Sequence, residues 1–296
     1  MAVSLQWACQ RKPTPPVHGI TARTTRYIAG HVARPAPPPP LARPSSPSPR
    51  MSWLSDLLHA GGTGGLNWHW HAHASRQRWQ PTSSALADFL RTVPVDGQHL
   101  LVLGASAGWM MPTEWLLRCA RVDTVDIDPL APHLFGWRHG RALTRAGVRW
   151  HHHRLDALAH LDDLLQRFPE AWLWFDNLLG QHRYRLRDAA RAERELQALA
   201  PRLSGRHWGS VHDVYSGASP LTGSTCQWTS CVQRELPASA LDDTFGQALL
   251  QRLNAQGVWS DHGTRGVLPA ATPCWLMPWE FRPGHWHWLQ AGWVSP

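Results

Sequence analysis

Lysine is close to absent from this 296-residue chain: Lys12 is the only one. Residues 13–296 therefore hold no phosphate-loop lysine, no Schiff-base lysine and no lysine general base. The five cysteines (Cys9, Cys119, Cys226, Cys231, Cys274) form no C-x-x-C pair, and only Cys226 and Cys231, five apart, hint at metal ligation or pairing. An odd, scattered set fits free thiols in a reducing compartment. No stretch approaches the roughly 18–20 consecutive apolar residues of a membrane span, and the N-terminus lacks the apolar core of a secretory signal. A cytoplasmic location is the expectation.

Acidic residues are missing from residues 1–50, which carry Arg11, Lys12, Arg23, Arg26, Arg34, Arg43 and Arg50. The formal net charge is +8, so this segment accounts for nearly all of it. The remainder is close to neutral and gives no reason to expect strong phosphate-backbone binding. Residues 1–50 are also rich in Pro and Ser, with the run Pro37–Pro40. Such a segment cannot bury a core and is expected to be disordered or polyproline-like. It reads as a basic tail, as an organelle transit segment, or as sequence preceding a working start at Met51; the last is preferred.

Residues 61–80 begin with glycines and continue NWHWHAHASRQRWQ. The alternation of His69, His71 and His73 puts the imidazoles on one side of a strand or spreads them around a helix. A metal site is disfavoured, because short His/Trp pieces recur, as in the HWHW of residues 285–288. Residues 51–95 are expected to form an N-terminal lid or helical segment, with a helix over Ser84–Arg91.

From residue 96 the chain alternates. Strand-like runs occur at 100–103, 124–127, 148–152, 171–175 and 207–211, and helix-like segments lie between them. Residues 216–234 read as loop, 241–254 as a helix, and 258–262 and 285–293 as two further strands. Strand–helix alternation predicts a parallel sheet covered on both faces. The expected fold is α/β: a doubly wound, mostly parallel, seven-stranded sheet with a C-terminal antiparallel hairpin, a three-layer αβα sandwich over 96–296.

Chemistry concentrates at the ends of these strands. The first runs into Gly104-Ala105-Ser106-Ala107-Gly108, and Asp126, Asp156 and Asp176 follow the second, third and fourth. In an open α/β sheet, ligands bind outside the carboxyl ends of the strands, so all three acids should share one crevice with the glycine turn. A nucleotide-like ligand fits there, its ribose hydroxyls on the acid after the second strand.

Over about residues 95–215, and more loosely to 296, the chain resembles the class I S-adenosylmethionine-dependent methyltransferases. The resemblance implies S-adenosylmethionine as cofactor and methyl transfer as activity. It implies that Gly104, Ala105, Ser106 and Gly108 hold the amino-acid part, that Asp126 and Ile127 hold the ribose, and that Asp156 and Ala157 hold the adenine. Asp176 and Asn177 would form the active-site edge. Ser106 stands where the family's middle glycine would be, and the fourth strand ends in DNLLG rather than the Asn/Asp-Pro-Pro-aromatic signature of amino-group nucleobase enzymes. The lysine of ribose 2′-O-methyltransferases has no counterpart. A base for an oxygen or nitrogen acceptor has candidates in Asp176, His182, His212 and Asp213, none singled out. The near-neutral core favours a small-molecule acceptor, and the 19 tryptophans serve as aromatic walls or as core.

Three other readings stay open at this level. Gly104–Gly108 also matches G-x-S-x-G, which would make Ser106 a nucleophile with Asp213 or Asp261 and His285. A nicotinamide dehydrogenase is disfavoured because no third glycine follows Gly108. A methyltransferase-like binding protein without turnover is the third.

Overall fold

The computed structural model describes residues 65–186, 188–223 and 231–296. The expected tail 1–50, the start of the expected lid and Cys226 lie outside the described residues. The first element is a long helix, α1 (Leu66–Thr92), followed by β1 (His99–Leu103), α2 (Thr113–Leu116) and β2 (Arg121–Asp126). Next come α3 (Ala131–Phe135), a π-helical turn at Gly136–Gly140, α4 (Arg141–Arg145), β3 (Arg149–Arg154), α5 (Leu161–Arg167) and β4 (Trp172–Asp176). A 3-10 turn at Leu179–Gln181 leads through α6 (His182–Leu186), α7 (Ala189–Gln197) and α8 (Leu199–Arg202) to β5 (Trp208–Ala218). The remainder is β6 (Gln233–Pro237), α9 (Asp243–Arg252), β7 (Gln256–Asp261), β8 (Pro273–Arg282) and β9 (His285–Val294).

The strands run β3-β2-β1-β4-β5-β9-β8-β6 across one sheet, with β7 attached to β5. Pairing is parallel from β3 through β5 and antiparallel beyond it. The chain thus has a doubly wound, mostly parallel sheet with a C-terminal antiparallel hairpin. The apolar run of β1 is buried on both faces, as a parallel strand between helices requires. Among the described residues nine strands form where seven were expected. The hairpin is β8–β9, and not 258–262 with 285–293: β8 lies between those two expected strands. Pro273 opens this strand, and β6 pairs with it only as far as Leu276, so Pro278 lies where β8 has one strand neighbour, a place that tolerates proline.

One feature of this sheet positions the site. β4 pairs with β5 only up to Val211, and β7 takes over that edge from Tyr215. A register shift between Asp213 and Tyr215 interrupts the β5–β9 ladder at the same height. The sheet is therefore split open beside Asp213, at the carboxyl ends of β4 and β1.

Helix α1 is continuous from Leu66 to Thr92, reaching well ahead of the helix expected over Ser84–Arg91 within the lid or helical segment. Trp79, Leu86, Phe89 and Leu90, at helical spacing, pack with Trp174, Trp275, Met277, Trp279 and Leu289 into the core on one face of the sheet. Leu161, Leu164, Leu196, Leu199 and Leu203 fill the other face against Leu101, Leu173 and Phe175. The start of α1 is tied down by Asp128, which accepts from Gly65 N (3.0 Å) and His69 Nε2 (2.6 Å). Its middle is tied to β8: Trp79 Nε1 and His71 Nε2 both donate to Phe281 O (3.0 and 3.1 Å), and Thr82 donates to Pro278 O (3.1 Å).

Candidate functional site

The glycine turn closes β1 with backbone rather than side chain. Gly104 has φ +76°, and a Cβ there would lie 2.8 Å from Leu178 Cβ and 3.3 Å from Asp176 O. Ser106 is held at φ 45°, a left-handed conformation that costs a non-glycine residue free energy. Its backbone N donates to Asp126 Oδ2 (2.7 Å), while Asp126 Oδ1 takes Asp128 N (2.8 Å). One carboxylate thus braces the turn and the loop after β2 together.

A cavity of about 380 Å³ opens over this turn. Gly104, Ala105 and Ser106 form its floor, and Asp126 and Ile127 one side. Asp156, Ala157, Asp176 and Asn177 complete this end. Nine of the ten sequence-selected cofactor positions therefore line a single space. Gly108 is the exception and sits behind the turn: a Cβ there would lie 2.7 Å from His139 Nε2. His139 Nε2 donates to Gly108 O (3.2 Å), and Arg138 donates to the Gly108 and Trp109 carbonyls while covering the Trp109 ring at 4.5 Å. Gly108 lets the turn pack on α3 and its π-helical extension.

The acids of this end differ in state. Burial pushes the Asp126 carboxyl up to about 6, against the pull of its two N–H partners. Burial, with the neighbouring Asp126 charge adding to it, pushes Asp176 up to about 7. Asp156 behaves oppositely. Burial acts to raise it, but Arg185 and the N–H groups of Ala159 and Leu158 outweigh burial and hold it below the usual range. Both Asp156 oxygens are bonded to the Arg185 guanidinium, so this carboxylate is not the free acceptor that the resemblance implies. Asn177, at the tip of β4 with φ 50°, keeps a buried Oδ1 without a hydrogen-bond partner.

The far end of the cavity is chemically distinct. Trp68, Phe281 and Trp79 form a triangular aromatic cluster: Phe281 lies 6.2 and 6.0 Å from the two indoles with planes 17° and 19° from parallel, and the indoles are 5.8 Å apart and tilted by 36°. Trp279 closes edge-on at 4.9 Å from Trp79. Trp68 reaches across to the turn, its Nε1 donating to Ser106 Oγ (3.1 Å). His262, His285 and His287 line the same end. His285 and His287 sit on one face of β9, while the alternate residues Trp286 and Trp288 pack on the other, with Leu249 of α9. That period-two alternation was visible in HWHW, and it is the signal by which His287 could have been found.

Of the candidate bases, Asp176 reaches the cavity. His182 donates to Glu195 (2.7 Å), and His212 is wholly buried between Ser210 (2.8 Å) and Gln290 (3.2 Å); neither lines it. Asp213 lies directly behind the wall. It is 0% exposed, accepts from His287 Nδ1 at 2.8 Å and from Gln181 Nε2 at 3.1 Å, and so orients a histidine that does face the space. Asp213, His262 and His287 bring ligand-type atoms within 4.8 Å of one another. His69, expected in a strand or helix of histidines, is instead spent on Asp128 and Trp109.

The serine-nucleophile arrangement is not assembled. Ser106 Oγ is bonded by Trp68, Asp261 binds Gly263 N and Arg265, and among the described residues no hydrogen bond joins His285 to either acid. Among the described residues no helix is long and apolar enough to cross a membrane.

No protein-family model matches the chain, and no curated protein matches it. Among solved structures it is similar to a magnesium protoporphyrin IX methyltransferase from Synechocystis PCC 6803 with bound S-adenosylmethionine. Identity is 13%, with a TM-score of 0.41, covering 81% of this chain and 89% of that one. It is also similar to the N-methyltransferase NodS from Bradyrhizobium japonicum WM9 in complex with S-adenosylhomocysteine (14% identity, TM-score 0.33, 73% and 87% covered). A third likeness is to an S-adenosylmethionine-dependent methyltransferase from Clostridium acetobutylicum (10%, TM-score 0.32, 50% and 58%).

Proposed function

We propose that this chain binds S-adenosylmethionine over the Gly104–Ser106 turn and transfers its methyl group to a small-molecule acceptor held between α1 and the β8–β9 hairpin. One observation carries the reading: a single cavity joins a glycine turn and three strand-end acids at one end to an aromatic, histidine-lined chamber at the other. A binding protein for the cofactor alone has no use for the second chamber.

The residues at the first end suit this ligand. Asp126 keeps unused lone pairs for two ribose hydroxyls while its N–H partners fix its orientation. Asn177 Oδ1 is buried and unpartnered, an acceptor awaiting a donor. Asp126 and Asp176, both raised, are relieved when a cationic group arrives. Asp156, tied to Arg185, shapes the adenine side as a pair rather than as a bare carboxylate. When bound, S-adenosylmethionine supplies a methyl group already activated on a sulfonium. The chain's task is then to align the acceptor and exclude water, which Trp68, Trp79 and Phe281 do from above. The buried free thiols of Cys119 and Cys274 support a reducing, cytoplasmic setting.

Calorimetry with S-adenosylhomocysteine tests the reading. Wild type is expected to bind at micromolar concentration. Asp126→Ala is expected to lose about 100-fold in affinity, since two charge-assisted hydrogen bonds at about 1.5 kcal/mol each amount to about 3 kcal/mol. No binding to wild type overturns the cofactor; undiminished binding to Asp126→Ala overturns the ribose assignment.

A further inference from the structure

We propose that His287 is the base of the acceptor chamber, that Asp213 is its positioning residue, and that the acceptor is a flat aromatic molecule bearing an acidic hydroxyl. This rests on the methyl-transfer reading above and names the chemistry of its second substrate.

Hydrogen bonding fixes the protonation pattern. Asp213 is buried and accepts at both oxygens. His287 Nδ1 must therefore be the N–H that donates to Asp213, and its Nε2 carries the lone pair. That Nε2 is buried and has no partner, on a residue that is only 8% exposed and lines the cavity. A buried lone pair without a donor carries a desolvation cost, and a substrate O–H aimed at it removes that cost. The carboxylate behind the ring stabilises the imidazolium that forms when the proton is taken, the role an acid plays behind any histidine base.

The neighbouring histidine does not compete. His262 Nδ1 donates to Gly180 O (3.0 Å), so its Nε2 accepts from Ser216 Oγ (2.9 Å). Asp213, His262 and His287 are close enough for a metal, yet every ligand atom but His287 Nε2 is already engaged. One open lone pair suits a proton better than a cation.

The walls select the acceptor. Phe281 lies within 19° of parallel to both Trp68 and Trp79, and Phe281 and Trp279 both stand within 5.2 Å of the His287 ring. A planar ring held against these faces lies next to the His287 ring. Asp213, the carboxylate bonded to His287, is spent on it and on Gln181, so it is not free to pair with an ammonium group. The step balances as follows. His287 Nε2 takes the hydroxyl proton, and the oxygen's electron pair forms the bond to the methyl carbon. The carbon–sulfur bond breaks with its pair left on sulfur, and the proton leaves Nε2 for solvent.

The test uses 2-naphthol with S-adenosylhomocysteine filling the donor end, followed by the absorbance band of the naphtholate. Wild type is expected to bind naphthol and ionise part of it at neutral pH. His287→Gln should abolish the ionised band, and Asp213→Asn should weaken it about tenfold, the effect of about one pKa unit on proton exchange between naphthol and imidazole. Nitrogen NMR of His287 should show the Nδ1–H form in wild type and its loss in Asp213→Asn. All three proteins should bind S-adenosylhomocysteine equally, which shows that they are folded. Naphthol that fails to bind, or ionises equally in His287→Gln, overturns the proposal while leaving the cofactor reading intact. Stoichiometric uptake of added Zn²⁺ by wild type but not by His287→Gln also overturns it. Failure of wild type to bind S-adenosylhomocysteine overturns the parent reading instead.

Discussion

Single carboxyl groups set the electrostatics of the cavity. Asp126 at about 6 and Asp176 at about 7 are raised chiefly by burial, so both are largely neutral at pH 5.5 and charged near pH 8. A sulfonium cation favours the charged forms, whereas the neutral thioether of S-adenosylhomocysteine is indifferent to them at that atom. The affinity ratio of S-adenosylmethionine to S-adenosylhomocysteine is therefore expected to rise about three- to tenfold between pH 5.5 and 7.5, within the tenfold per unit that one linked proton permits. Asp176→Asn should flatten that rise, and a ratio independent of pH in wild type, measured by calorimetry, would remove these carboxyls from the sulfonium's surroundings. At this scale the sequence was informative about the donor end. Asp126, Asp156 and Asp176 follow parallel strands, and topology alone brings such residues to one edge. The partners of those groups were not legible. Nothing local in RLDAL shows that Arg185, 29 residues on, occupies Asp156. Likewise, no spacing rule joins Asp213 to His287, 74 residues away across an antiparallel ladder.

Helix α1 is the element that completes the aromatic end of the cavity, and two anchors hold it. The one at its start is Asp128, whose carboxyl burial would raise, but which His69 and the N–H groups of Leu130 and Gly65 hold below the usual range. Removing one partner of such a buried pair costs about 3 kcal/mol or more. Asp128→Ala is thus expected to free the first turns of α1 while the second anchor, Trp79 and Thr82 on β8, keeps the rest docked. Trypsin should then cut at Arg76 or Arg78 at least tenfold faster than in wild type, with residues 99–296 remaining resistant. Uniform digestion of the whole chain would show that Asp128 supports the global fold rather than this helix. The elements differed in how visible they were. β1 and β4 announce themselves as apolar runs closed by turn residues, and β2, β3 and β5 by their alternation with helix-like segments. α1 did not, because Pro81 and the polar, His-rich start mask a buried stripe whose apolar members begin only at Ala72 and Trp79. β8 was hidden by Pro273 and Pro278, which are harmless because one opens the strand and the other lies where β6 no longer pairs.

Over the whole molecule, opposing sets of buried titratable groups decide how stability responds to acid. His139, His152 and His212 are each pushed down to about 4, chiefly by burial. Unfolded, they titrate near the ordinary value of about 6.5. Between pH 4 and 6.5 the unfolded chain therefore binds more protons at these sites, and their contribution to stability is lost as pH falls through that window. Asp126 and Asp176 act in the opposite sense. Their folded values are raised, so the folded chain binds more protons between about pH 4 and 7, and their contribution fades as pH rises. Asp123 adds a further acid-side loss. Burial acts to raise it, but His153, His99 and Arg121 hold it well below the carboxylate range, so its contribution disappears as pH falls below about 4. With three histidines against two carboxyls in the shared window, and water in the cavity weakening the carboxyl effect, the histidines prevail. The melting temperature of the ligand-free protein is expected to be highest near pH 6.5–7 and to fall steeply toward pH 4.5, by about 1 kcal/mol of stability per pH unit for each unbalanced proton. Above about pH 8 these two sets should add no further change, because both have finished titrating there. Asp176→Asn separates the two contributions: it should raise the melting temperature at pH 8 by a few degrees, for about 1–2 kcal/mol, and leave it unchanged near pH 4. A wild-type melting curve that climbs steadily from pH 7 down to pH 4.5 would mean that the carboxyls outweigh the histidines, and would reverse this balance.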